Sequence, residues 1–556
     1  MYADIHNQQP SLLIHPQDDV AVALQDLPMG ESLSVKGRPI RMKELIPVKH
    51  KFATREIALG EQVKMYGLVV GRATQHIAVG ELITQANLQH ATQEVSLDEH
   101  HFHWQGPDVS KWADSHFMGI PRAGGKVGIA NYWLVIPMVF CENRNIQVLR
   151  KALMQELGYE KPDQYVSGVR SLMKAYEEGK RGSELGEVEI ETGSSSRGKS
   201  RFFPHVDGIR FLTHDGGCGG TREDAQVLIK LLAAYVAHPN VAGATVLSLG
   251  CQHAQMHMLE EIIQDLHPDL DKPIYYLEQQ KSINEPAFIG EAIQQTFIGL
   301  SLANEAVKQP FPLSELVIGL ECGGSDGFSG ISANPAVGKV SDLLVALGGS
   351  SILSEFPELS GVEQDIINRS TAKRVSEKFL QLMRSYERAA KAVGSGFEAN
   401  PSPGNIKDGL ITDAMKSAGA ARKGGTSPVV DVLDYTEILQ NKGLNLLCTP
   451  GNDVESTTGL AAAGAHIILF TTGLGTPTGN PVAPTLKIAT NTALTSRMGD
   501  IIDYNAGQII DGEKGLDEVG REMLDLVIAV ANGQYVPHAV RLGQHDFIPW
   551  KRGVSL

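Results

Sequence analysis

The sequence predicts an α/β protein in which a small N-terminal β unit precedes a two-part α/β body built on mainly parallel sheets. Two observations carry this prediction. Three Gly-centred turns near the N-terminus each feed a short alternating segment, and beyond Pro121 unbroken apolar runs alternate with helical stretches. A third observation locates the chemistry: nearly every apolar run ends in a burst of glycine and polar residues.

In residues 11–92 the turns Met29-Gly30-Glu31, Leu59-Gly60-Glu61 and Val79-Gly80-Glu81 lead into SLSV, QVKMYGLVVG and LITQ. These are expected to be short strands of a small barrel or clip. Residues 93–116 are polar without clear periodicity and predict a linker. The body is expected to divide near Gln309-Pro310-Phe311-Pro312 into residues 117–308 and 309–556. Its predicted strands are NYWLVIPMVF, IRFLTH and ATVLSLG in the first part, then LVIGL, SSILSE, VVDVL, LNLLCT and AHIILFTT in the second. Such runs suit strands covered by helices on both faces. Residues 222–237, 256–266 and 365–393 predict helices, and the polar, small-residue-rich segment 184–201 predicts a mobile surface loop.

Composition excludes several function classes. The 556 residues carry 49 Lys and Arg against 64 Asp and Glu, a formal charge of -15, with no basic cluster, so nucleic acid is not an expected partner. No apolar run is long enough to span a membrane, and the first residues, MYADIHNQQPSLLIHPQDD, lack the basic and apolar regions of a signal peptide. A cytoplasmic protein is expected. Its five cysteines are spread thinly and predict reduced thiols. A homodimer is expected only because symmetric pairs are the commonest assemblies.

The polar bursts are THDGGCGG (213–220), LGCQH (249–253), ECGGSDG (321–327), SEFPE (354–358), CTPGND (448–453) and TTGLGTPTG (471–479). In open α/β sheets ligands bind at the carboxyl ends of strands, so six such ends suggest one shared polar site. Ordinary turns and helix caps are the competing reading of any one burst. There is no GxxxxGK[ST] phosphate loop and no CxxC pair, and Pro477 and Gly479 break any dinucleotide fingerprint at Gly473-Leu474-Gly475.

These residues carry a resemblance. GLECGGSDGFSGISANP (319–335), SEFPE, NPSPGN (400–405), LNLLCTPGND, FTTGLGTP and KIATN (487–491) are similar to segments of the altronate and galactarate dehydratase family. Those are sugar-acid lyases with an N-terminal β-clip (SAF-type) domain. The resemblance implies dehydration of a hexonate or hexarate to a 2-keto-3-deoxy acid, assisted by Fe²⁺ or Mn²⁺. The chemistry requires a cation to take up charge as the weakly acidic C2 proton leaves, a base for that proton, and an acid for the departing C3 hydroxyl.

On that basis His214, Cys218 and Cys251 are candidate metal ligands, with Cys322 and Glu358 as competitors and His50 reaching from the N-terminal unit. A buried inert thiol is the alternative for each cysteine. Asp326, Glu355 and Asp453 are candidate acid or base groups. Lys416 is a candidate catalytic residue, either neutralising the substrate carboxylate or acting as the base, and Lys487 a candidate substrate contact with the same alternatives. Ser325, Asn334, Asn400, Asn405, Thr472 and Thr476 are candidate contacts to substrate hydroxyls.

The resemblance is incomplete. Thr84-Gln85-Ala86-Asn87 stands where altronate dehydratases carry a His-x-His-Asn cluster, and Ala130 and Leu474 stand where relatives have basic residues. Ala414, Met415 and Ala420 likewise replace an acidic residue and a Cys or Ser around Lys416. His90, His100, His101 and His103 are available substitutes, with a solvated linker as the alternative. A noncatalytic sugar-acid sensor and an iron–sulfur hydro-lyase using Cys218, Cys251 and Cys322 are the competing functions.

Overall fold

The N-terminal turns close as their sequence requires. Gly30, Gly60 and Gly80 have φ of 86°, 81° and 78°, a left-handed conformation that a side chain would strain. Each glycine N–H donates to a carbonyl on a neighbouring segment, at Met42, Ala73 and Ala53 respectively. The computed structural model describes residues 9–93, 95–97, 102–160, 165–190 and 199–552. In it the turns join eight short strands into two three-stranded sheets and one two-stranded ribbon around Ile57, Val63, Ile77 and their neighbours.

The body holds two wholly parallel sheets. The smaller has four strands in the order Gly208–Phe211, Tyr132–Pro137, Val241–Ser248, Ile274–Glu278. The larger has seven, in the order Val429–Leu433, Leu444–Leu447, Ser350–Leu353, Val317–Cys322, Ile467–Thr472, Thr485–Ala489, Tyr504–Asn505. From the central Val317–Cys322 strand the chain adds Ser350–Leu353, the edge strand Val429–Leu433 and then Leu444–Leu447 between those two on one side, before it crosses to the other at Ile467. That reversal opens a crevice at the carboxyl ends of the central strands. All eight apolar runs named above become strands of these sheets. Thr485–Ala489 escapes the apolar pattern because it contains Lys487, a lysine with no exposed surface.

Other elements differ in detail. The predicted helix over 365–393 is two helices, Glu363–Asn368 and Lys373–Ala392, interrupted where Ser370 pairs with Val429. Gln309–Pro312 forms a strand that pairs with His116–Pro121, which also pairs with Val127–Gly128. The polar segment before it is anchored: Trp112 is buried with its indole N–H on Asp525, and the Ser96 N–H donates to Gln364. Of the loop predicted over 184–201, Ser183–Gly186 forms a helical turn, and residues 191–198 lie outside the described residues, as do His100 and His101. No helix among the described residues is long and apolar enough to cross a membrane.

Candidate active site

The strand Val317–Cys322 delivers Glu321 and Cys322 to opposite faces of the sheet at its carboxyl end, as the period of two requires. Directly after it, Gly323 is needed because a Cβ there would lie 2.0 Å from Asp453 Oδ2 and 2.5 Å from Phe470. The next strand, Ser350–Leu353, leads directly into Ser354 and Glu355. Glu355 holds a left-handed backbone (φ 66°, ψ 67°), costly for a residue with a side chain. Its N–H donates to Thr449 Oγ1 at 2.8 Å, and its carboxylate accepts the Cys322 N–H at 3.1 Å.

Around Cys322 lies a buried ionic cluster. The thiol donates to Glu358 Oε2 at 2.9 Å, and Ser325 Oγ lies 3.5 Å from the sulfur. Lys423 Nζ lies 2.8 Å from Cys322 Sγ, 2.7 Å from Glu355 Oε2 and 3.4 Å from Glu358 Oε2. Lys416 Nζ bridges Glu358 Oε1 at 2.8 Å and Asn400 Oδ1 at 3.1 Å. Burial opposes ionisation of Glu358, but the two ammonium groups outweigh it and bring its pKa down to about 2. Burial, together with Glu355 and Glu358, pushes the Cys322 thiol well above its usual range. In the metal-free protein the sulfur is therefore held as a thiol that donates to Glu358.

A second set faces it. One carboxylate oxygen from each of Glu321, Glu355 and Asp453 lies within 4.8 Å of the others. Glu321 Oε2 accepts from Ser354 Oγ at 2.7 Å and Ser456 Oγ at 2.6 Å, while Glu321 Oε1 and Glu355 Oε1 are buried without a hydrogen-bond partner. Burial and the neighbouring Glu355 raise Glu321 well above its usual pKa; burial and Glu358 raise Glu355 to about 7 and Asp453 to about 6. Three crowded carboxylates with unused oxygens are what a divalent cation would satisfy, and an all-oxygen set suits a hard or borderline ion. The Cys322–Glu355–Glu358 set also has metal-ligand spacing, but the Lys423 ammonium already sits against all three.

Lys487 lies beneath, its ammonium nitrogen 3.9 Å from the Phe470 ring centroid and bonded to the Thr478 carbonyl. Burial lowers its pKa to about 7.

The remaining candidates separate into groups. Asn405 donates to the Ser325 carbonyl at 2.7 Å and caps a short helix with Ser402. Asn334 donates to the Gly419 carbonyl and accepts from Thr471, so both ends of its amide are engaged inside the protein. Thr472 Oγ1 accepts the Gly475 N–H, and Thr476 lies beside Gly324 at the rim. Asn400 Nδ2 is buried without a partner next to Lys416.

Asp326 joins the N-terminal domain to the body. Its oxygens receive Lys49 Nζ at 3.0 Å, Thr490 Oγ1 at 3.0 Å, Ser329 Oγ at 3.1 Å and Asn491 Nδ2 at 3.2 Å. Replacing Asp326 by alanine leaves these donors unpaired in a buried place and is expected to cost about 3 kcal/mol, measured by urea unfolding. His50 Nδ1 meets the Val48 carbonyl at 3.2 Å, and the carboxylate groups with metal-ligand spacing among the described residues do not include it. Its neighbours make the crossing: Lys49 to Asp326, and Lys51 to the Gly409 carbonyl at 2.6 Å. His90 pairs with Asp413.

His214, Cys218 and Cys251 belong to the carboxyl ends of the smaller sheet, and the structure does not group them with Cys322. Both His214 ring nitrogens are taken by backbone: Nε2 meets the Pro137 carbonyl at 2.8 Å and Nδ1 accepts the Gly216 N–H at 3.1 Å. Cys218 lines a small cavity with Asp215, His253 and Trp550, and Cys251 is exposed. Asp215 lies near enough to Glu455 to raise its pKa, so the two strand-end regions are neighbours.

Two central residues escape the sequence reading. Glu321 stands one residue from Cys322 yet carries no assigned role. Lys423 hides in AARKGG, although its spacing of seven from Lys416 puts both lysines on one side of a continuing helical turn.

Comparison with known proteins agrees along the whole chain. Residues 9–91 match the altronate/galactarate dehydratase SAF domain, 119–304 the second domain of D-galactarate dehydratase/altronate hydrolase, and 313–555 the C-terminal domain of D-galactarate/altronate dehydratase. The chain is 35% identical to an altronate dehydratase of Bacillus subtilis and 33% to one of Escherichia coli, each match covering 98% of this chain and 99% of the relative. It is 34% identical to an Escherichia coli galactarate dehydratase (L-threo-forming) over 58% of this chain and 62% of that protein. The chain belongs to the D-galactarate/altronate dehydratase family.

Proposed function

We propose that this protein dehydrates a sugar acid, altronate in the first place and galactarate in the second, to the 2-keto-3-deoxy acid in the cytoplasm. The observation that carries the reading is the gathering of the Glu321, Glu355 and Asp453 carboxylates at one set of strand ends, with Lys416 beside them on Glu358 and Lys487 close enough for Asp453 and Glu321 to bear on its charge. In the reaction the C2–H bond and the C3–O bond break, water leaves, and the enol formed between C2 and C3 takes up a proton at C3 to become the ketone.

Lys416 is the carboxylate anchor. Its ammonium is held charged by Glu358 and retains a proton beyond those given to Glu358 and Asn400. Lys487, buried and poised near neutrality, is the base for the C2 proton. Asn400 Nδ2 and Thr476 supply donors for substrate hydroxyls. Glu321, Glu355 and Asp453 would hold Mn²⁺ or Fe²⁺, which when bound stabilises negative charge on the substrate carboxylate and C3 oxygen. Lys423 keeps Glu355 aimed, and burial beside Glu355 and Glu358 keeps Cys322 protonated against the pull of that ammonium.

Purified protein loaded anaerobically with Mn²⁺ or Fe²⁺ is expected to convert altronate to a 2-keto acid, detected by carbonyl derivatisation, faster than galactarate. Turnover of galactarate alone would reassign the substrate. Turnover of neither acid with either metal would overturn the reading.

A further inference from the structure

A cavity of about 180 Å³ lies between the two parts of the body at the end of the sheets remote from Glu321 and Cys322. His238 and Pro239 lead into the Val241–Ser248 strand, His466 leads into Ile467–Thr472, and Val317 and Ser350 begin their own strands; all five line it. One wall is apolar, with Val127, Ala234, Ile438, Leu439 and Ala462.

The other wall is basic in a chain whose net charge is -15. Lys126 lines the cavity, and its ammonium makes no hydrogen bond or ion pair among the described residues. His267 also lines it, and its Nε2 is buried without a partner. Behind them, among the described residues, the Lys272 ammonium donates only to the Val236 and His238 carbonyls, and the Arg122 guanidinium only to the Pro239 carbonyl and Asn131. The one acidic residue of the lining, Glu315, is neutralised by Lys442 at 2.9 Å. Burial and the crowding of Lys126 and Lys272 bring His267 down to about 4. His238 and His466 have ring nitrogens bonded to backbone, which leaves Lys126 and His267 to meet a ligand.

We infer that this cavity binds a small organic anion, its carboxylate or phosphate on Lys126 and His267 and its carbon chain against the apolar wall. A half-buried ammonium without a counter-charge and an unpaired imidazole nitrogen are both satisfied by one such group. The occupant touches both parts of the body and therefore bears on their relative placement rather than on the chemistry. This inference is independent of the proposed reaction.

Calorimetric titration of the full-length protein with inorganic phosphate and, separately, with 2-oxobutyrate tests it and separates the two head groups. At least one probe is expected to bind below about 1 mM. Lys126→Met and His267→Leu are each expected to weaken binding at least tenfold, while Lys416→Met leaves it within twofold. Lys126→Met is also expected to keep the basal turnover. Should Lys126→Met fail to fold by thermal melting, His267→Leu decides alone. Binding of neither probe to the unmodified protein, affinity unchanged by the cavity variants, or affinity that follows Lys416 would overturn the inference.

Discussion

Lys423→Met is expected to reduce turnover by at least about a thousandfold and to destabilise the fold by about 3–5 kcal/mol, because it removes a buried counter-charge and leaves its partners in place. Lys423 is 1% exposed and lies against Cys322, Glu355 and Glu358. Without it only Lys416 balances the Glu358 side of the cluster, and Glu355, already raised to about 7, loses its cation entirely. Arginine is not expected to rescue, since its planar fork does not fit a point occupied by an ammonium. Stability and catalysis can be separated by adding Glu355→Gln to Lys423→Met. The double variant no longer buries an unpaired carboxylate at position 355 and is expected to regain most of the lost stability in urea unfolding, yet not the turnover. Retention of a tenth of the activity by Lys423→Met would contradict this account.

Glu321→Gln is expected to move stability and metal affinity in opposite directions. The carboxyl is raised well above its usual pKa by burial and by Glu355, so metal-free protein pays to bring it close to Glu355 and Asp453. An amide of the same shape keeps a carbonyl to accept from Ser354 and Ser456 and relieves the repulsion. The metal-free variant is expected to be more stable by about 1 kcal/mol above pH 7, where the neighbouring carboxylates ionise. Below pH 5 all three groups are protonated, and the advantage is lost. With Mn²⁺ the variant is expected to bind at least ~100-fold more weakly, since even outer-shell partners are worth 10–100-fold. Calorimetric Mn²⁺ titration and urea unfolding with and without metal measure the two effects. Loss of stability in the metal-free variant with unchanged Mn²⁺ affinity would show a purely structural glutamate.

The sequence discloses the sheets more readily than the site. Eight strands are legible because uninterrupted Val, Ile and Leu runs have few other uses, and the glycine-rich bursts mark their carboxyl ends. Thr485–Ala489 is obscured by Lys487, since a charged residue at the centre of a sheet defies the apolar rule. The bursts place Cys322, Glu355, Glu358 and Asp453 at strand ends, and three segments distant in sequence do bring them together. Which burst meets which is decided by strand order. The Cys218 and Cys251 bursts end strands of a different sheet from the Cys322 burst, and no local pattern conveys that. Lys423 is hidden for another reason: a buried lysine is recognised by its partners, and these lie 65 to 101 residues away. His50 shows the limit from the other side, since the segment reaches the body through Lys49 and Lys51, flanking the residue that sequence similarity emphasises.

The decisive measurement is an anomalous difference map from crystals grown with Mn²⁺. The account predicts one strong peak at the carboxyl end of the Val317–Cys322 strand, among Glu321, Glu355 and Asp453. A peak among His214, Cys218 and Cys251, with none beside Glu321, would contradict it.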